Sequence, residues 1–415
     1  MAAPASATAS EVMAWGANDQ NQLANATVES SDVPLAVSGL SGVRAMSAGG
    51  EHSLALLNDG TVMAWGANEF GQLGDGTTTP RVGVPFFERF ASSPAPEAVR
   101  GLSGVTAVSG GGFFSLALLS NGTVMAWGNN EYGQLGDGAT ANSPVPVASN
   151  VLSATVVSAG LYHSLALLSD GTVTAWGRNT EGQLGNGTTI NSSVPVPVSA
   201  LSGVTAIAGG WYHSLALLSN RTVVAWGENE QGQLGNGSSI NSSLPVPVSE
   251  LSEVSSVSAG GYHSLSEVPP PPPSVSSIAP ASGPSAGATA VTIKGSGFVA
   301  GATVTIGSAA TAVKVLSGSE LTATTSATAP GAYEVVVSDA NGTSSGGPSY
   351  TYTAPPSVSS IAPASGPSAG ATAVTIKGSG FVAGATVTIG SAATAVKVLS
   401  GGELTATTSA TAPGA

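Results

Sequence analysis

From His52 to Gly66 the chain reads HSLALLNDGTVMAWG, two apolar runs on either side of Asn-Asp-Gly. Such runs around an Asp-Gly turn predict a β-hairpin, because Gly accepts the positive φ that tight turns need. A Gly-rich stretch follows, GQLGDG in its commonest form, and reads as a loop. The run VPVPV (Val194 to Val198) alternates Val with Pro. Proline lacks an amide donor, so this strand belongs at a sheet edge. The segment SGVTAIAGG (Ser202 to Gly210) then predicts an inner strand ending at a Gly pair. Strand, turn, strand, loop, strand recurs along the chain, with Trp-Gly pairs starting at Trp15, Trp65, Trp127, Trp176 and Trp226. The intervals are 50, 62, 49 and 50 residues. Four short strands in each interval of about 50 residues is the pattern of a propeller blade.

A second pattern takes over after Pro269 to Pro273, a run that favours a stiff extended spacer. Residues 274–332 and 357–415 carry the same text at an offset of 83, with Ser319 replaced by Gly402. AVTIKGSGFVAGATVTIG alternates apolar and small polar residues between glycines and predicts an antiparallel sandwich. The second copy lacks the equivalent of Tyr333 to Ala354, and a longer natural chain is expected. The predicted organisation is an all-β chain. It comprises a small-residue tail (1–10), a propeller of about five four-stranded blades (11–268), the polyproline linker (269–273), an immunoglobulin-like domain (274–356) and a second, incomplete one (357–415).

On these residues the repeat AGGxHSLALLSDGTVxAWGxNxxGQLGDGT resembles that of the regulator of chromosome condensation family. The resemblance covers about residues 11–266 and implies a β-propeller, usually of seven blades. PSVSSIAPASGPSAGATAVTIKGSGF resembles the immunoglobulin-like (IPT/TIG) domain shared by plexins and transcription factors, also found in bacterial surface proteins. Propellers of this repeat family serve as exchange factors for small GTPases, as chromatin binders and, in secreted bacterial forms, as protein inhibitors. The five units here begin at a Trp-Gly strand and finish just after GYHSL (Gly261 to Leu265), so each end holds what the other lacks. The expectation is a composite blade closing a five-blade ring, with an open arc as the alternative.

Composition narrows the function. There is no Cys, which removes disulfides, thiolate metal sites and thiol nucleophiles. Charged residues are 8% of the chain and the net charge is −13. Residues 1–273 hold 6 Arg, no Lys and 19 acids, hence 6 − 19 = −13, and residues 274–415 balance 4 Lys with 4 acids. Such an acidic first domain is repelled by phosphates, which argues against nucleic-acid binding and chromatin. No stretch reaches the roughly 18 apolar residues of a membrane span. The start, MAAPASATAS, looks like the small-residue segment around a signal cleavage site. An exported bacterial protein, extracellular or at the cell surface, is expected.

Repetition separates scaffold from candidate site. The four His (His52, His163, His213, His263) share one slot before Ser-Leu, and Phe114 fills that slot in the third unit. A position that accepts Phe packs or bonds locally, so no metal or acid–base role is assigned, and no catalytic residue, cofactor or metal site is expected. Single-copy features remain. The second unit carries an insertion, Pro80 to Gly101, containing Arg81, Phe86, Phe87, Arg89 and Phe90. Aromatics with Arg are the enriched anchors of interfaces. This insertion is expected to lie outside the blades. Phe70 and Tyr132 vary within the loop after Trp-Gly, and Trp211 and Tyr212 follow a Gly pair. These nine residues form the predicted partner site of a non-catalytic binding scaffold. Its partner is expected to be a protein, with the sandwich modules as spacers. Carbohydrate or cell-wall recognition is the alternative, and membership of a polysaccharide-active enzyme ranks below both.

Overall fold

The computed structural model describes residues 11–78 and 92–414. The chain divides into two compact units, 1–269 and 270–415. In the first, strands β1 (Met13–Ala17) and β2 (Ser30–Ala36) form a two-stranded sheet. The first full blade is β3 (Val43–Ala48), β4 (His52–Leu57), β5 (Val62–Ala67) and β6 (Ser92–Ala98). The second is β7 (Val105–Gly110), β8 (Phe114–Leu119), β9 (Val124–Gly128) and β10 (Ser143–Ala148). The third is β11 (Ala154–Ala159), β12 (His163–Leu168), β13 (Val173–Gly177) and β14 (Ser192–Pro197). The fourth is β15 (Val204–Gly209), β16 (His213–Leu218), β17 (Val223–Gly227) and β18 (Ser242–Pro247). Strands β19 (Ser256–Ala259) and β20 (Ser264–Glu267) make a final two-stranded sheet.

Each full blade is an antiparallel meander in chain order, as the hairpin signals predict. The register repeats too: His52 faces Gly66, Phe114 faces Gly128, His163 faces Gly177 and His213 faces Gly227. Two expectations need correction. The composite blade does not form, because β1–β2 and β19–β20 remain separate sheets. Among the described residues, four full blades with a half-blade at each end make an open arc. The insertion is also shorter than expected: Ser92–Ala98 is not outside the blade but is its outer strand, paired with β5. SPAPEAV (Ser93 to Val99) there stands for the SSVPVPV (Ser192 to Val198) of a later unit, with proline again on the outer strand. Of the predicted site, Arg81, Phe86, Phe87, Arg89 and Phe90 lie outside the described residues, as does the 1–10 tail.

The cores lie between blades rather than within them. Leu54, Leu56, Val62 and Leu73 pack with Trp127 of the next unit, and Phe114, Leu116, Val124 and Leu135 pack with Trp176. Trp65, Trp127, Trp176 and Trp226 are at most 3% exposed. Burying an indole of this size stabilises by about 4–6 kcal/mol. Its ring nitrogen keeps a partner: Trp127 Nε1 donates to the Gln72 carbonyl at 2.9 Å and Trp176 Nε1 to that of Gln134 at 2.8 Å. Blade-to-blade contact thus satisfies the one polar atom that burial would orphan.

In the second unit, Ser274–Ala279, Ala290–Ser296, Glu320–Thr324 and Thr311–Ser317 form one sheet. It packs with a sheet holding Gly331–Asp339 and Ser349–Thr353 around Ile293, Val304, Ile306, Val335 and Tyr350. The second copy repeats the first sheet and has only the short Thr388–Ile389 and Ser391–Ala392 pair opposite it.

Candidate partner-binding face

The loops at one end of the blades are built by a repeated side-chain frame. After each Trp-Gly, an Asn and a Gln fold the backbone onto themselves. Asn68 Oδ1 accepts from the Leu73 amide at 3.0 Å, Asn68 Nδ2 donates to Asp75 Oδ1 at 3.2 Å, and Gln72 Oε1 accepts from the Phe70 amide at 2.9 Å. Tyr132 is held identically by Gln134 Oε1 at 2.9 Å. Where unit two has Asp75, later units have Asn186 and Asn236 making the same contact to Asn179 and Asn229. The Asp/Asn exchange is therefore turn chemistry.

On that frame the aromatics meet. Phe70 lies edge-on to Phe113 (centroids 5.5 Å apart), Phe113 stacks on Tyr162 (6.1 Å), and Tyr162 meets Tyr132 edge-on (5.2 Å). The Arg178 guanidinium then bridges two units, 5.7 Å from the Tyr132 ring and 4.7 Å from the Tyr212 ring. Tyr212 continues to Tyr262 (6.3 Å), which meets Trp211 edge-on at 5.2 Å. All four described residues of the predicted site, Phe70, Tyr132, Trp211 and Tyr212, belong to this one belt. The predicted site left out four members of the belt: Phe113, Tyr162, Arg178 and Tyr262. The signal for Arg178 was present, since it is the one basic residue that directly follows a Trp-Gly pair.

Carboxylates crowd the belt. Burial, then the charges of Asp19 and Glu69, push the Glu51 carboxyl above its ordinary range. Burial, then Glu181 and Glu230, do the same to Glu228, against the opposing pull of Arg178. Arg178 is itself committed to Glu181 at 3.8 Å. Burial, then the neighbouring Tyr212 and Tyr132, raise the Tyr162 phenol.

The His slot is a different matter. His52, His163 and His213 are buried, and each Nε2 lies 2.9–3.0 Å from a Ser hydroxyl of the next unit (Ser115, Ser214, Ser264). That hydroxyl donates to a Gln carbonyl, 2.9 Å for Ser115 to Gln72. The Ser proton being so used, His Nε2–H is the donor and the ring is neutral. Nδ1 of all three has no partner. Phe114 occupies its slot fully buried. No group of three or more His, Asp or Glu among the described residues is placed to hold a metal ion. No helix of the described residues is long and apolar enough to cross a membrane.

Radial four-stranded sheets joined by Trp-to-carbonyl bonds define a repeat propeller. The chain belongs to the RCC1-like domain family, which matches residues 4–266, and residues 273–352 and 356–415 match the IPT/TIG domain. Among curated proteins it is similar to the probable E3 ubiquitin-protein ligase HERC6 of Homo sapiens, 34% identical over 144 residues, 34% of this chain and 13% of that protein. The ultraviolet-B receptor UVR8 of Arabidopsis thaliana is 32% identical over 147 residues, 34% of this chain and 31% of the receptor. Solved neighbours include human WBSCR16 (TM-score 0.54, 26% identity, 61% of this chain and 66% of that one). Prp20p of Saccharomyces cerevisiae gives a TM-score of 0.51 at 24% identity over 62% of this chain and 64% of its own. The chain thus spans less than a third of these curated relatives and under two thirds of these solved ones.

Proposed function

We propose that this chain is a non-catalytic protein-interaction scaffold whose aromatic belt receives a cationic segment of a protein partner. The observation that carries the reading is the belt from Phe70 to Trp211 with Arg178 at its middle. Aromatic rings with Arg are the side chains that anchor protein interfaces. The crowded Glu51 and Glu228 repel their acidic neighbours, and an incoming Lys or Arg relieves that repulsion while its charge sits over the rings. The domain's lack of Lys favours a basic partner for the same reason. The sandwich modules serve as spacers. The proposal includes an exported setting, on the small residues of positions 2–10, while the Cys-free composition fits a cytosolic setting equally well; fractionation of the native host would test it.

The test is fluorescence anisotropy with peptides of matched length that are basic, neutral or acidic. The basic peptide is expected to bind, to weaken as salt rises, and to lose roughly thirtyfold or more in affinity on Tyr132→Ala with Tyr212→Ala. Equal binding of all three peptides, or none, would overturn the reading. The Phe87→Ala, Arg89→Ala pair decides whether the cluster at residues 86–90 joins this site: it does if affinity falls while the melting temperature holds. Retention on polysaccharide that depends on Trp211 would favour carbohydrate recognition instead.

A further inference from the structure

Positions that the repeat covers in the internal units stand uncovered at the two ends of the arc. Trp15 is 61% exposed, against at most 3% for the other four Trp of the slot. Leu265 is 62% exposed, against at most 1% for Leu54, Leu116, Leu165 and Leu215 at the same position. Met46 is 60% exposed, whereas Val108 and Val157 at the same position are half-buried and Ile207 is 8% exposed. At one end, β1 presents Trp15 and, among the described residues, an open strand edge beside a cavity of about 400 Å³ lined by Met46, His52 and Trp65. At the other, β20 presents an open edge beside a cavity of about 290 Å³ lined by Gln233, Gly235, Val248 and Leu265.

The second cavity is an empty indole socket. A Cβ at Gly74, Gly136 or Gly185 would meet the Trp of the next unit at 2.7–2.8 Å, so each of these glycines floors an occupied socket. Gly235 holds the same place, and only Val248 approaches it. The acceptor is in place as well. Gln72, Gln134 and Gln183 carbonyls each receive one Ser hydroxyl and one Trp indole. The Gln233 carbonyl receives Ser264 at 2.8 Å.

We propose that the two ends join between copies: β1–β2 of one chain completes β19–β20 of another. The intermolecular blade has the order β19, β20, β1, β2, and Trp15 enters the Gly235 socket with its Nε1 on the Gln233 carbonyl. The register follows from the internal pairs, Ser264 against Trp15 and Leu265 against Ala14, as Ser53 faces Trp65 and Leu54 faces Ala64. Within one chain the two half-blades remain separate sheets. Neighbouring blades touch at their inner ends, where a Cβ at Gly50 would lie 2.7 Å from the Gly112 carbonyl. A second copy supplies the missing half-blade without repacking. The two patches differ, so the contact is head-to-tail and builds rings or filaments, while removing open strand edges.

Sedimentation velocity of the full chain over a concentration series tests this. Trp15→Ala spoils only the head and Leu265→Asp only the tail, and both side chains are exposed in the single chain, so folding is spared. Wild type is expected to associate, and each variant alone to weaken association by roughly thirtyfold or more. Mixed together, the variants should give a 1:1 dimer that does not extend, since each retains one sound end. Gly235→Ala should act like Leu265→Asp. A wild type that stays monomeric, with Trp15 fluorescence either buried or exposed, would overturn the proposal. So would association that neither substitution changes.

Discussion

The indole of Trp127 reaches back into the preceding unit and donates to the carbonyl of Gln72 at 2.9 Å. That bond and the socket around it couple neighbouring blades. A methyl group added in the socket should therefore separate one blade from the next. Gly136 has φ +72° and a Cβ there would lie 2.7 Å from Trp176 Nε1, whereas Gly235 has φ +60° and no indole. Measured in a Trp15→Ala background, both Ala substitutions carry the left-handed strain of about 1–2 kcal/mol. Gly136→Ala should cost about 1–3 kcal/mol more, from overpacking. Chemical denaturation checks the difference, and equal costs would mean that the indole contact is loose.

Phe114 and His213 share a register position, and the structure shows what replacement removes. Ser164, which follows the Phe slot, keeps its 2.8 Å bond to the Gln134 carbonyl. His213→Phe should leave Ser264 bonded to Gln233 in the same way. The expected change in unfolding free energy is within about 1 kcal/mol, near the net worth of the lost hydrogen bond. Retained peptide binding in this variant would confirm that the slot is scaffold, and a large loss of binding in a folded protein would refute it.

Acid should unfold the propeller through the same histidines. Burial pushes His52 down to about 4, His163 to about 3 and His213 to about 4, from 6.5. The unfolded chain therefore binds protons that the folded chain refuses. The neutral rings' contribution is complete above pH 6.5 and is lost as the pH falls through 6.5 toward 4. Each ring adds a slope of about 1.4 kcal/mol per pH unit within that window. Denaturation midpoints should fall steeply between those limits, and His213→Phe should remove one proton's share of the slope.

One residue type in two settings gives a control within the second unit. Val275 is 8% exposed and Val358, the same position in the second copy, is 67% exposed. Ala at position 275 should cost about 1–3 kcal/mol and Ala at 358 within about 0.5 kcal/mol. Melting of the isolated pair of variants against wild type reads both. The sequence around the two valines is identical, so composition cannot explain a difference; cover from Val335, Val337 and Tyr350 in the first copy can.

The sequence by itself determined what lies within a few tens of residues. The turn at Asn58-Asp59-Gly60, the Pro-marked outer strand and the Asn68–Gln72 loop frame are local events, set by backbone chemistry and alternation. The Trp-Gly repeat was legible from its recurrence, but recurrence did not separate the buried Trp65, Trp127, Trp176 and Trp226 from the exposed Trp15. Tertiary structure decided what links separate repeats. Arg178 joins Tyr132 to Tyr212 because two loops from different units converge, and no spacing in the chain encodes that distance. The fate of the ends was likewise out of reach. Each half-blade carries the other's missing strands in its sequence, but their meeting depends on the angles accumulated over every blade between them. Those angles come from side-chain packing at each interface, and here they leave Trp15 and the Gly235 socket apart within the chain.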